Sequence, residues 1–540
     1  MESIGMNSLV SDLKPLIAGD VSDAIEALDA VSSDFGGVER KQPRVVVRPI
    51  QSADVAAVMK YAITKEINVS TRAAGHSLNG QALSQGGILL DMRSLNQLHE
   101  LNQDELWFRA DAGATWQQIV DVALLEGVIP PVLTNNLDVT LGGTHAAAGL
   151  GQSSFRYGSQ ADNCLSLEVV TATGEILWCS PENNCELFEH VLCGYGQFGI
   201  ITQVQHRLRR YRPHTRTYFL CYDDLSVLLK DQQTIVQSQL VDSLLTVFSP
   251  CILGFSRTEN GPRPVVQWFY RIQATFELEK VADLDEATFL SSLNFYRHVH
   301  TEDVPFETYV QPLMQVPRPV ETANPWLDVM LPASVAQEFI ETALARIPSF
   351  IDFRSTPIGS FSLLSRHMHR PMFALPEEEL ILGFGMYPTV PKAHLEPVLK
   401  QLEQLSDLGF RLGGKRYLVS WIDFNRYQWQ QQFGDYWSTI NAMKRQYDPK
   451  GILNPGFIEY EEDTLPTLPS TAETPEVVVT ARDSAAQSNN MQKSVSLKDQ
   501  VASSIEATSA PSGLPAKALT LTAIALLAAW LLSGLSYGLI

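Results

Sequence analysis

His76 sits inside a glycine-punctuated loop, Thr71-Arg72-Ala73-Ala74-Gly75-His76-Ser77-Leu78-Asn79-Gly80-Gln81. The run before it, Ile67-Asn68-Val69-Ser70, predicts a strand, so the loop leaves a strand end and turns with successive backbone N–H groups on one side. That is the geometry a pyrophosphate requires. Gly75 and Gly80 permit the turn, because a residue without a Cβ reaches positive φ and lets the backbone approach a ligand. An imidazole in such a loop is a nucleophile beside a bound dinucleotide, which is the chemistry of a covalent cofactor attachment. Taken alone, the same residues also describe a polar strand-to-loop turn with a hydrogen-bonded histidine.

The elements that must hold this loop follow from periodicity. Arg44-Val45-Val46-Val47-Arg48, Gly87 to Met92, Leu106 to Ala110 and Leu165 to Thr171 read as strands. Ser52 to Thr64, with Val55, Val58 and Met59 on one face, and Thr115 to Glu126 read as helices. This alternation predicts an α/β cofactor domain. Further glycine-rich motifs come later: Leu141-Gly142-Gly143-Thr144-His145-Ala146-Ala147-Ala148-Gly149, Gly194-Tyr195-Gly196-Gln197-Phe198-Gly199-Ile200-Ile201-Thr202 and Tyr447-Asp448-Pro449-Lys450-Gly451-Ile452-Leu453-Asn454-Pro455-Gly456.

With the His76 loop, these motifs in this order make the chain resemble the vanillyl-alcohol oxidase superfamily, whose FAD domain is of the p-cresol methylhydroxylase type. Within it, the sequence is similar to the cytokinin dehydrogenases. That similarity rests on Gly75-His76-Ser77-Leu78-Asn79-Gly80-Gln81-Ala82-Leu83, Phe155-Arg156-Tyr157-Gly158, the Gln197 motif, Asn324-Pro325-Trp326-Leu327 and Arg416-Tyr417-Leu418. It covers most of residues 40–460.

The resemblance implies an α+β protein. Residues 39–213 form a two-lobed FAD-binding domain after a helical lead-in, 1–38. A substrate domain with an antiparallel sheet follows at 214–415, and 416–460 return to complete the FAD domain. It also implies FAD bonded through its 8α carbon to His76, a pyrophosphate lined by Arg72, Ala73, Ala74 and Gly75, and nearby hydrogen bonds from Ser77 and Gln81. Thr140, Ala146 and Leu150 are expected beside the isoalloxazine or ribityl chain, Ile201 on the adenine side, Tyr417 against the ring system, and Asn454 in a slot usually held by a small polar residue. His145 is expected to be structural.

Val419-Ser420 replaces the Pro-His that often follows the Tyr-Leu motif, and two further positions depart from the family pattern. Its catalytic aspartate matches Asn135, and an amide cannot serve as a general base. Its substrate-site glutamate matches Gln273. Asp138 is one candidate replacement base, with turn capping as the alternative reading; Tyr157, Tyr270 and Asp423 are weaker candidates. The expected activity is oxidation at CH–NH or CH–OH of a small organic substrate, with electrons passed to oxygen or a quinone-like acceptor. The alternative is a catalytically impaired, membrane-tethered flavin-binding scaffold.

Composition bounds the rest. At 540 residues and 45% hydrophobic content the chain can bury a large core in two or more lobes. With 40 basic against 60 acidic residues, a nucleic acid backbone would be repelled over much of the surface. Six cysteines without a CxxC pair argue against zinc and a disulfide scaffold, so no metal site is expected. Residues 1–12 lack a charged leader with an apolar core, which predicts a cytoplasmic catalytic part. Residues 461–517 are rich in Ser, Thr, Ala and Pro and read as a disordered linker. Ala518 to Ile540 carries no charge and as a helix would extend about 35 Å, enough for a hydrocarbon core of about 30 Å, so a single-pass tail anchor is predicted. A docked apolar helix is the other reading of that segment; a lipid-anchor signal would look similar but presupposes a secretory entry that residues 1–12 do not predict.

Overall fold

The computed structural model describes residues 6–259, 261–311, 321–347 and 356–461. Its first sheet has Val45–Arg48, Ile88–Asp91 and Val69–Arg72 in parallel, with Asp20–Ser22 antiparallel at the edge. Val45, Val46, Val47, Ile88, Leu89 and Leu90 are fully buried, as a parallel sheet covered on both faces demands. The crossover helix Ser52–Lys65 turns Val55, Val58, Met59 and Ala62 onto this sheet. Asp54, buried in its first turn, accepts N–H bonds from Ala18, Gly19 and Ile50, tying the lead-in to the helix start. Strand Val69–Arg72 runs directly into the His76 loop, so the sheet fixes where that loop begins.

The second sheet is antiparallel, in the order Leu98–Asn102, Trp107–Asp111, Ile200–Arg207, Cys164–Val170, Ile176–Cys179. Helix Trp116–Leu125 packs on it and starts at a capping box between Thr115 and Gln118. The short helix Leu141–His145 lies against strand Ile200–Arg207. The return segment supplies helices Arg426–Phe433 and Trp437–Tyr447. Trp429, Phe433 and Trp437 recur every four residues and stack on one another, and Tyr460 stacks on Trp437. This row joins the core of the second sheet. Leu453 bridges in parallel to Val69, so the chain's return also closes the first sheet.

The third sheet has eight strands, all antiparallel, in the order Arg297–Pro305, His214–Tyr222, Gly261–Leu278, Ser243–Thr258, Ile358–Leu364, Leu380–Met386, Leu327–Pro332, Lys415–Arg416. Helices Leu225–Ser238, Ala333–Arg346 and Leu395–Arg411 contribute to one core with it. The antiparallel sheet expected within 214–415 is therefore present, and its last strand straddles the expected start of the return segment.

Differences from the sequence reading are small in position and larger in role. Strand ends move by one or two residues. The lead-in, expected to be helical, also supplies the edge strand Asp20–Ser22. All six cysteines are free thiols. Among the described residues no helix is long and apolar enough to cross a membrane. The linker beyond Glu461 and the anchor expected at Ala518 to Ile540 lie outside the described residues.

Candidate active site

A cavity of about 440 Å³ opens where the first two sheets meet the third. Arg72, Ala73, Ala74, Gly75, His76, Ser77, Gln81, Thr140, Ala146, Leu150, Ile201 and Tyr417 all line it, so twelve of the thirteen cofactor contacts expected from sequence share one wall system. Its other side comes from the third sheet: Leu244 to Val247, Trp326, Asp328, Pro357 to Phe361 and Tyr387. Asn454 is outside the lining. Buried at φ 44°, it donates from Nδ2 to the Tyr195 carbonyl and accepts at its own carbonyl from Gln197 Nε2. Its place is behind Gly196, which does line the cavity, so it buttresses the wall rather than facing a ligand.

The His76 loop is held from outside. Phe35 N–H donates to the Gly75 carbonyl at 2.8 Å and Gly36 N–H to the Ser77 carbonyl at 3.0 Å. In planar trans peptides the N–H that follows each carbonyl points the opposite way, so carbonyls on the lead-in side put N–H groups on the other. Buried Asp34 accepts from Ser77 Oγ at 2.9 Å, Gly80 N–H at 2.9 Å and Gly37 N–H at 3.2 Å. Burial pushes the Asp34 pKa up, against the lowering effect of those donors. Gly75 has φ 68°, a conformation that favours glycine, and a Cβ there would lie 2.4 Å from Arg72 Nη2 and displace the guanidinium. Asn79 joins the loop to the return segment, donating to the Leu418 and Ser420 carbonyls and accepting Ile422 N–H. A glycine-relieved turn beside an arginine, opening on this cavity, fits an FAD pyrophosphate.

Phe35 stacks on His76 with ring centroids 4.8 Å apart. The Asn136 Nδ2 lies 2.9 Å from His76 Nε2. Asp138 N–H donates to Asn136 Oδ1 at 2.9 Å, which orients the amide so that its NH₂ faces the imidazole. His76 Nε2 is therefore an acceptor, and the neutral ring carries its proton on Nδ1.

The expected catalytic positions separate. Asn135 lines the cavity, its Oδ1 accepting from Gln152 Nε2 at 3.2 Å. Asp138 does not line it: this residue is exposed, and its N–H serves Asn136. Gln273 is also outside the lining; in the strand register it stands opposite Leu245, and Leu245 is the residue that reaches the cavity. Tyr270 is buried in the third-sheet core against Phe248, Asp423 is exposed, and Tyr157 lies under the Arg209 guanidinium; none of the three lines the cavity. His145 is fully buried behind the wall, as a structural residue would be.

Sequence reasoning quoted Asn79 and Trp326 in motifs without giving them a role and missed Asp34, Asn136, Asp328 and Tyr387. The Asn324-Pro325-Trp326-Leu327 motif was a usable signal and stopped one residue short of Asp328.

Comparison with known proteins agrees with this geometry. A family model described as an FAD binding domain matches residues 43–180, and one described as cytokinin dehydrogenase 1, FAD and cytokinin binding, matches residues 263–458. The chain is an FAD-dependent oxidoreductase that is similar to the cytokinin dehydrogenases. An uncharacterized oxidoreductase of the fasciation locus of Rhodococcoides fascians is 28% identical, over 80% of this chain and 96% of that protein. Cytokinin dehydrogenase 1 of Arabidopsis thaliana is 27% identical, over 80% of this flavoprotein and 81% of the plant enzyme. The structure of 6-hydroxy-D-nicotine oxidase from Arthrobacter nicotinovorans shares the fold, with a TM-score of 0.61 at 20% identity, covering 84% of this chain and 98% of that one.

Proposed function

We propose that this flavoprotein removes a hydride from a carbon bearing N–H or O–H in a small organic amine or alcohol, using FAD bonded to His76. When bound, FAD supplies the two-electron acceptor, and electrons then pass to oxygen or a quinone-like compound. The observation that carries this reading is the His76 imidazole in the wall of a cavity whose opposite side is built by a separate, antiparallel sheet. A bond at Nδ1 leaves Nε2 as the acceptor that the Asn136 amide requires, whereas a bond at Nε2 would remove it. The apolar lining from Leu244, Leu245 and Val247 suits a largely apolar substrate body. Asn135 stands where the resemblance expects the acid, so the substrate differs from a cytokinin or the base lies elsewhere. The C-terminal segment Ala518 to Ile540 is proposed as a membrane tether.

Acid precipitation of the full-length holoprotein tests the attachment. Yellow colour should stay with the pellet, and His76→Ala should release it to the supernatant. A wild-type supernatant that turns yellow overturns the covalent link. Bleaching of the flavin on mixing with amine or alcohol substrates separates a dehydrogenase from the scaffold reading.

A further inference from the structure

We propose that Asp328, acting through the Tyr387 hydroxyl, is the proton acceptor of this oxidation. The inference rests on the dehydrogenase reading above and assigns the base that Asn135 cannot supply.

Among the described residues Asp328 is the sole carboxylate lining the cavity. It is 5% exposed, on strand Leu327–Pro332. Tyr387 Oη donates to its Oδ1 at 2.8 Å, and buried Ser420 donates to its Oδ2. Among the described residues no cation bonds either oxygen. Arg416 is near, but its Nε donates to the Asp328 backbone carbonyl, its Nη1 to Ser406 and its Nη2 to the Trp421 carbonyl. A buried carboxylate served by two neutral hydroxyls is poorly stabilised as an anion and well placed to take a proton. Its pKa moves in that direction: burial raises it, and the Ser420 and Tyr387 hydrogen bonds and the Arg416 charge oppose the rise. Tyr417 is the other titratable group that feels this charge.

The contact to Tyr387 is built into the sheet. Gly385 pairs with Asp328 on one side and with Gly359 on the other. A Cβ on Gly385 would fall 2.1 Å from Tyr387 Oη and 3.0 Å from Asp328 Oδ1. The tyrosine thus folds back over a strand position that only glycine leaves empty. Tyr387 itself lines the cavity, edge-on to Trp326 at 5.1 Å. Because its single proton goes to Asp328, its oxygen can accept from a substrate N–H or O–H.

The step balances as follows. The substrate C–H bond breaks with its electron pair going to oxidised FAD as hydride. The heteroatom proton passes to Tyr387 Oη while the Tyr387 proton passes to Asp328 Oδ1. The heteroatom lone pair completes a C=N or C=O bond. One substrate loses two electrons and two protons; the flavin gains the hydride and Asp328 the proton.

The test uses full-length holoprotein as wild type, Asp328→Asn and Tyr387→Phe. Asp328→Asn keeps the shape and an acceptor for Tyr387 but cannot take the proton. Flavin bleaching by N-methylbenzylamine and by benzyl alcohol is followed across pH. Asp328→Asn should slow it by about 10²–10⁴-fold and abolish the acid limb of the wild-type profile, with flavin content unchanged. Tyr387→Phe should show a smaller loss. Wild-type rates and pH profile in Asp328→Asn, or in Tyr387→Phe should Asp328→Asn not fold, overturn the proposal. If neither probe bleaches the wild type, the dehydrogenase reading fails for those donors, and infrared pH titration judges the carboxyl independently. A carboxylic C=O band that titrates above the usual carboxylate range, vanishes in Asp328→Asn and shifts in Tyr387→Phe supports the assignment. Absence of such a band overturns it.

Discussion

Mild acid should loosen the cavity wall through His145. Its ring is fully buried, with Nδ1 2.7 Å from the Leu141 carbonyl and Nε2 3.1 Å from His206 Nδ1. A carbonyl can only accept, so His145 Nδ1 carries the proton and Nε2 accepts from His206. A second proton on Nε2 would set N–H against N–H. Burial lowers the His145 pKa from 6.5 to about 4, the main cause being loss of water around the charged ring. Between those two values the unfolded chain binds the proton and the folded one does not. The stability is therefore present above pH 6.5 and lost as pH falls toward 4. Linkage makes that loss about 2 kcal/mol at pH 5 and about 3 kcal/mol at pH 4. His145 ends the helix Leu141–His145, which shares the cavity wall through Gly142, Gly143 and Thr144, so flavin retention should weaken in the same interval. Urea unfolding of wild type and His145→Gln between pH 7 and pH 4, followed by flavin absorbance and far-UV dichroism, checks this. Wild type should lose about 2 kcal/mol more than the variant between pH 7 and pH 5. Parallel pH dependence in the two proteins would refute the reasoning.

Lys444→Met should destabilise the protein by about 3–5 kcal/mol, because it strands buried Asp448 without its partner at 2.8 Å. Thermal melts should register the drop, and Lys444→Met with Asp448→Asn should recover part of it. Deleting Ala518 to Ile540 should move the protein from the membrane to the soluble fraction; unchanged partitioning would count against the tether.

The His76 loop, the glycine-rich motifs and most of the first two sheets were legible in the sequence because each signal is local. A strand, a turn with positive φ and the residue between them occupy a dozen consecutive positions. What failed was the long-range pairing. Gln273 and Leu245 sit opposite one another, and only the register of the third sheet says which of them reaches the cavity. Asp328 and Tyr387 are 59 positions apart and meet because Gly385, with no side chain, leaves room for the Tyr387 ring to fold back over the strand. Nothing local to Asp34 or Phe35 marked them as supports of the His76 loop, since some forty positions separate them from it and only the tertiary fold brings them together. Asn136 was passed over because its partner lies 60 positions earlier.

The junction of Val69 with Leu453 constrains how the molecule is made. A ribosome releases the loop that receives the dinucleotide early, yet the strand beneath it gains its last neighbour only when residue 453 has cleared the exit tunnel. Until then the nascent chain holds an open sheet edge and an incomplete nucleotide pocket. The sheet under the loop that receives the dinucleotide therefore stays short of one neighbour until that late stretch of chain is available.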